Sequence, residues 1–254
     1  MNLTDNLKKK GFVFFKINKQ TNIYINKINN LINVYKKQKK INFESIDSKE
    51  LSKHILILQK KINKIFNTKK FFIINKDIFV NFFNEKKYSV QTYFYLRITQ
   101  PHKRNPKYKP IDFHREKFQG PAFFKFIMNI WIPIKNCEKK NAIRYIEKSH
   151  LFKRYDDFNL KIRKTNIVKG STENKIGFLY KDRRIEFKKK VKISRLYKKK
   201  NFILFYGDLI HGSAKNTTNV SRISLDLRFM LEKKMKFNPI QGATRKKYFN
   251  VIDI

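Results

Sequence analysis

The chain has one cysteine, Cys137, in 254 residues. A single thiol excludes a disulfide scaffold, a thiolate zinc site and a Cys-x-x-Cys redox pair. No apolar run reaches the roughly 18–20 residues of a membrane helix. The start is polar, and Phe12–Phe15 is too short for a signal-peptide core. These absences lead us to expect a soluble protein of a reducing, cytoplasmic compartment. Acidic residues are also scarce: 19 Asp and Glu stand against 60 Lys and Arg, for a net charge of +41.

Low mean hydropathy with high net charge is the composition of disordered chains. Here 25 Phe, 12 Tyr and abundant Ile demand burial, so a folded chain is expected. The charge has two explanations. Lys, Asn, Ile, Phe and Tyr share A/T-rich codons, and Ala, Gly and Pro are few, so compositional drift accounts for much of it. Drift does not explain the shortage of Asp and Glu, which leaves a polyanionic partner such as nucleic acid open. The basic runs are dispersed, at Lys8–Lys10, Lys36–Lys40, Lys188–Lys190 and Lys198–Lys200. They form no DNA- or RNA-binding module.

The length fits one domain over residues 1–254, with residues 1–70 mainly a helical cover and 88–232 a β core. A small N-terminal helix is expected before the strand Gly11–Ile17. Tyr24, Ile28, Leu31 and Tyr35 recur at helical spacing. Asp47 and Glu50 resemble a capping pair ahead of the stripe Leu51, Ile55, Leu58, Ile62 and Ile65. From about residue 70 the pattern changes to aromatic and β-branched runs: Val90–Thr99, Phe123–Ile134, Arg184–Ile193, Asn201–Tyr206 and Ser221–Met230. Helices followed by strands imply an α+β architecture, a β-sandwich or open barrel with helices on one outer face. In Arg222–Phe229 the residues alternate strictly. Arg222, Ser224, Asp226 and Arg228 share one face, and Ile223, Leu225, Leu227 and Phe229 the other. With helices over the apolar face, the polar face lines an internal cleft.

Of the five histidines, His54 lies in the second helix as a structural or solvent-facing residue, and His102 sits in a loop. His114 and Glu116 are two apart, so on extended chain they point the same way. That is two-thirds of a facial triad of two histidines and a carboxylate. His211, ninety-seven residues after His114, ends an apolar strand and supplies the third ligand. Arg222 follows eleven residues later. A hairpin of this length would return it beside His211, where a guanidinium grips a carboxylate in a two-pronged hydrogen-bonded pair. Ser213 shares the face of His211 and is placed to donate to the same carboxylate. A lone arginine in so basic a chain carries little; the joint spacing carries the reading.

The pattern His-x-Glu…His-x-Ser…Arg resembles the iron(II)- and 2-oxoglutarate-dependent oxygenases, in their phytanoyl-CoA dioxygenase-like branch. Gly11-Phe-Val-Phe-Phe15 resembles that branch's opening strand, Trp131-Ile-Pro-Ile134 its tryptophan strand, and Ser149-His150-Leu151 its Ser-His turn. Four positions depart from it: Glu116 stands for the usual Asp, Glu147-Lys148 for Pro-Gly, and Ala142 for a common Gly. Phe113–Phe118, with Asn129–Pro133 and Arg144-Tyr145, is similar to oxygenases of sporadic carbohydrate-biosynthesis clusters.

The resemblance implies a double-stranded β-helix (jelly-roll) core with N-terminal helices packed on one sheet. It implies Fe(II) on His114, Glu116 and His211, 2-oxoglutarate anchored by Arg222 and Ser213, and dioxygen as the oxidant. The substrate would be a small molecule, a sugar or sugar-linked compound. Arg97, Asn129, Trp131, Tyr145, Ser224, Asp226 and Arg228 are the candidate pocket residues, and His150 is structural. Two other readings remain at this stage: a jelly-roll binding protein without metal, and an oxygenase or binder acting on nucleic acid.

Overall fold

Caps and apolar stripes define the helices that come first in the chain. A computed structural model describes residues 3–104, 113–116, 127–152, 162–166, 176–180, 192–232 and 249–254. Helix α1 (Leu3–Lys10) leads into strand β1 (Phe12–Lys16). Gly11 joins them at φ 86°, and a β-carbon there would lie 2.4 Å from the His150 ring, so glycine is required twice over. Helix α2 (Lys19–Lys39) starts where the Asn18 side chain accepts from Thr21 N, and α3 (Ser48–Ile65) where Asp47 accepts from Lys49 N and Glu50 N. Each such cap contributes about 1 kcal/mol. Glu50 itself turns to Lys53 and His54.

The buried stripe of α2 is Thr21, Ile25, Ile28, Ile32 and Tyr35. It is rotated from the expected one, with Tyr24 and Leu31 at its edge. Two further helices, α4 (Thr68–Ile74) and α5 (Lys76–Phe83), continue the helical layer past the point where a β pattern was expected. Their aromatic residues mask any helical period, because Phe71, Phe72 and Phe79 are all completely buried in one cluster with Tyr88, Phe202 and Phe229.

The remaining strands are β2 (Lys87–Gln91), β3 (Tyr95–Thr99), β4 (Met128–Lys135), β5 (Ile143–Ile146), β6 (Ile162–Asn166), β7 (Ile176–Tyr180), β8 (Ile193–Leu196), β9 (Asn201–Tyr206), β10 (His211–Ser213), β11 (Arg222–Leu231) and β12 (Phe249–Asp253). The expected strand 90–99 is thus two, β2 and β3. Between them, Asn63 on α3 takes both backbone groups of Phe94, and Gln59 accepts from Leu96 N. The first part of the expected strand 123–134 and all of 184–191 lie outside the described residues.

The large sheet runs β1-β9-β4-β11-β2-β12, with β3 also paired to β11. The smaller one runs β10-β5-β8 and is extended by the bridge His114↔His211, while β6 and β7 pair with each other. From β8 to β11 successive strands alternate between the small and the large sheet, as in a double-stranded β-helix, and the ladders among the described strands are antiparallel. Pro133 is tolerated in central β4 because a bulge sits opposite, between Ile223 and Ser224.

Strand alternation places two cores. Met128, Ile130, Ile132, Phe202, Leu204, Ile223, Leu225, Leu227 and Phe229 face the helices. Trp131, Ile143, Tyr145, Leu196, Ile203, Phe205 and Leu209 lie between the sheets. The polar face of β11 therefore looks inward. Among the described residues no helix is long and apolar enough to cross a membrane.

Candidate metal centre

His114 and His211 meet across the small sheet's edge. Their backbones exchange two hydrogen bonds, His114 N to His211 O at 2.9 Å and His211 N to His114 O at 3.0 Å. The ring centroids are 4.4 Å apart. Two residues on, Glu116 N donates to Gly207 O at 2.9 Å, which turns the Glu116 side chain toward His211. One ligand atom from each of His114, Glu116 and His211 lies within 4.8 Å of the others, and all three residues are buried.

The hydrogen bonding fixes which atom of His211 faces the cluster. His211 Nδ1 is 2.8 Å from Leu209 O, a carbonyl that only accepts, so Nδ1 carries the proton. In the neutral ring Nε2 then presents a lone pair, and it lies 3.5 Å from Glu116 Oε1. With that ring neutral, a lone pair and a carboxylate oxygen face one another in a buried site, a setting that suits a cation between them. Two imidazoles and one carboxylate are a donor set for a divalent transition metal.

Glu116 is charged in this setting. Burial alone would raise its pKa, but the Arg228 guanidinium above all holds it well below the usual carboxylate range. Arg228 Nε donates to Glu116 Oε2 at 2.7 Å. Burial works against the Arg228 charge, and Glu116 outweighs it, so the Arg228 pKa is raised.

Arg222 begins β11, 3% exposed. Its Nη1 donates to Asn141 O at 3.0 Å, its Nη2 to Thr99 Oγ1 at 2.7 Å, and the guanidinium lies 5.8 Å from the Trp131 ring centroid. Nε is buried without a hydrogen-bond partner among the described residues. The expected hairpin is not what brings it there. β10 belongs to the small sheet and β11 to the large one, so the loop after Ser213 crosses from one sheet to the other before Arg222. Buried Asn216 builds that crossing by donating to Thr99 O and Val220 O and accepting from Thr218. Ser213 is on β10 opposite Ile143, and its carbonyl accepts from Arg144 Nε.

The other candidate residues fall into two groups. Arg97 Nε donates to Asp226 Oδ2 at 2.8 Å, and the Tyr95 ring lies under both Arg97 and Arg228. Tyr145, opposite His211, packs edge-on against Phe12, and burial pushes its hydroxyl pKa up to about 12. Along the inner wall Asn129 Nδ2, Trp131 Nε1, Ser224 Oγ and Asp226 Oδ1 are buried without hydrogen-bond partners among the described residues. In register, Asn129 opposes Arg228, Trp131 opposes Asp226, and Arg97 opposes Ser224. His150 is structural, with Nε2 2.9 Å from Lys8 O and its ring on Tyr206, and His54 bonds the Tyr35 hydroxyl. Sequence reasoning missed Gly207, Thr99 and Asn141. All three act through backbone approach or second contacts, which leave no pattern in a single chain.

No protein-family model matches the sequence, and no curated protein does. Solved structures match its shape. The non-heme monooxygenase ThoJ in its apo form aligns at TM-score 0.52 and 11% identity, over 91% of this chain and 77% of that one. EvdO2 from Micromonospora carbonacea var. aurantiaca, complexed with 2-oxoglutarate, aligns at TM-score 0.52 and 11% identity over 90% of this chain and 89% of that one. The epimerase SnoN, in complex with Fe3+, alpha ketoglutarate and nogalamycin RO, aligns at TM-score 0.51 and 8% identity over 90% and 82%. The chain therefore shares the fold of these three solved proteins. The expected α+β jelly roll with a helical cover is the observed one.

Proposed function

We propose that the protein is a ferrous, 2-oxoglutarate-dependent oxygenase acting on a small polyhydroxylated metabolite, a sugar or sugar-linked compound. One observation carries the reading: His211 Nε2 lies 3.5 Å from Glu116 Oε1, with His114 alongside, in a buried cluster of the fold those enzymes use. His114, Glu116 and His211 would hold the ion, and a facial triad leaves positions open for ligands. When bound, iron and 2-oxoglutarate supply the oxidising chemistry: dioxygen is consumed, the oxo acid becomes succinate and carbon dioxide, and a substrate C–H bond is oxidised.

The chain's own residues bind and orient. Arg222, immobilised by Asn141 and Thr99, keeps Nε for the far carboxylate of 2-oxoglutarate, and the neighbouring Trp131 Nε1 is a second unmet donor. Burial strengthens such a pair by excluding competing water. Beyond the anchor the inner wall mixes an unmet donor on Asn129, an unmet acceptor on Asp226 and the Ser224 hydroxyl. Hydroxyl groups satisfy both kinds, whereas a purely apolar substrate would leave them costly. That mixture supports a polyol-bearing substrate.

Purified protein with ferrous iron and 2-oxoglutarate should form succinate, and addition of polyhydroxylated candidates should accelerate it. His114→Ala, His211→Ala and Arg222→Ala should abolish it. Parent-like succinate formation by those variants would overturn the assignment. A second reading rests on the Arg228–Glu116 pair, which already neutralises the carboxylate: a jelly-roll binding protein without metal. Failure to take up iron, cobalt or manganese under anaerobic conditions would favour it.

A further inference from the structure

Glutamate brings one more rotatable bond to a ligand position than aspartate does, and its carboxylate is free to offer an ion one oxygen or both. Here the two oxygens are already divided. Oε2 receives Arg228 Nε at 2.7 Å, and Oε1 faces His211 Nε2 at 3.5 Å. Arg228 is itself held against three strands, its backbone by two of them and its side chain by the third. Arg228 N donates to Gln91 Oε1 on β2, its side chain lies over the Tyr95 ring from β3 at 5.6 Å, and on β11 it stands in register with Asn129 of β4. The Glu116 side chain is 2% exposed and that of Arg228 16%, so water competes little for the pair.

We propose that Arg228 is a positioning residue that adapts this centre to a glutamate ligand, engaging Oε2 so that Glu116 presents Oε1 alone to the ion. The proposal rests on the metal-binding reading above. With one oxygen engaged, Glu116 occupies one ligand position and cannot close a second. The positions that a chelating oxo acid and a further ligand require therefore stay open. A shorter aspartate at 116 would withdraw its carboxylate from the guanidinium, so the two residues are matched. Arg228 touches no reacting atom in this role; it acts through Glu116.

The test is anaerobic calorimetric titration of Co(II) into five proteins: parent, Arg228→Met, Arg228→Lys, Glu116→Asp, and Glu116→Asp with Arg228→Met. Partners that orient a metal ligand typically govern affinity by about 10–100-fold, and a loss in that range is expected for Arg228→Met. Lysine restores charge without the guanidinium's geometry, so Arg228→Lys should remain weaker than parent. In the Glu116→Asp background, removing Arg228 should change affinity less than about 3-fold, because contacts absent from both sides of a double-mutant cycle cannot couple. Parent-like cobalt affinity in Arg228→Met overturns the proposal, and so does an equal loss in both backgrounds. Circular dichroism of the metal-free proteins checks folding. If Arg228→Met does not fold, Arg228→Lys is read in the same two backgrounds by the same criterion. A parent that takes up no cobalt overturns the metal-binding reading itself, whereas a binding parent with an unaffected Arg228→Met overturns only the role of Arg228.

Discussion

Gly207 and Glu116 are in backbone contact at the point where the large sheet hands over to the ligand loop. A β-carbon on Gly207 would sit 2.8 Å from Ile127 O and 3.1 Å from Glu116 Cβ. No real side chain tolerates the first distance, so the ligand-bearing segment can lie where it does only against a glycine. Gly207→Ala should push Glu116 away from His211. We expect a destabilisation of about 1–3 kcal/mol from overpacking, seen as a lower denaturant midpoint. The same protein should bind Co(II) at least about 10-fold more weakly than parent.

Asn216 connects the crossing loop to both residues that hold Arg222. Its amide donates to Thr99 O at 2.9 Å, and Asn141 Nδ2 approaches its carbonyl oxygen at 3.4 Å. Asn216→Ala would leave buried groups unpaired, at about 1–3 kcal/mol. Steady-state kinetics should show the KM for 2-oxoglutarate rising more than kcat falls, since the anchor is loosened and the ligand triad is untouched.

His150 gives the stability a pH dependence. Burial first, with the nearby Arg115 charge, lowers its pKa, while the bond to Lys8 O pulls the other way. A histidine whose folded pKa is depressed favours the neutral form. The unfolded chain therefore binds more protons in the window just below the ordinary value of about 6.5, and stability rises with pH there. Its contribution is present above that value and is lost as pH falls through the folded pKa. Thermal melts between pH 7.5 and 5 should show the fall, and His150→Gln should flatten that part of the curve.

Cys137 should be chemically quiet. Its thiol donates toward Ile223 O at 3.1 Å, and burial pushes its pKa up to about 11. The thiolate is the reactive form, so alkylation by iodoacetamide at pH 8 should run about 100-fold slower than for a free cysteine. Unfolding in urea should restore the ordinary rate.

Alternation made the central part of this fold readable. Arg222 through Phe229 shows in sequence which face of β11 meets helices and which lines the cleft, and the core divides along that line. His114 and Glu116 were legible as a pair because the i to i+2 spacing sets both on one side of the chain, and His211, which opens β10 and does not end the apolar strand before it, joins them across the small sheet's edge. Phe71 to Phe83 was not legible as helix, since residues buried on every side have no period to read. The path from Ser213 to Arg222 was misjudged for another reason. Loop length alone cannot tell a hairpin within one sheet from a crossing between two, and the buried polar Asn216 decides it. Arg228 was visible as a cleft residue, but its bond to Glu116 joins segments far apart in sequence.

The most direct measurement is a crystal structure of the protein with Mn(II) and 2-oxoglutarate prepared without oxygen. The account predicts one ion bonded at about 2.0–2.3 Å to His114, His211 and a single oxygen of Glu116. The oxo acid should chelate that ion, with its far carboxylate on Arg222. An ion bound elsewhere, or none at millimolar manganese, would contradict it.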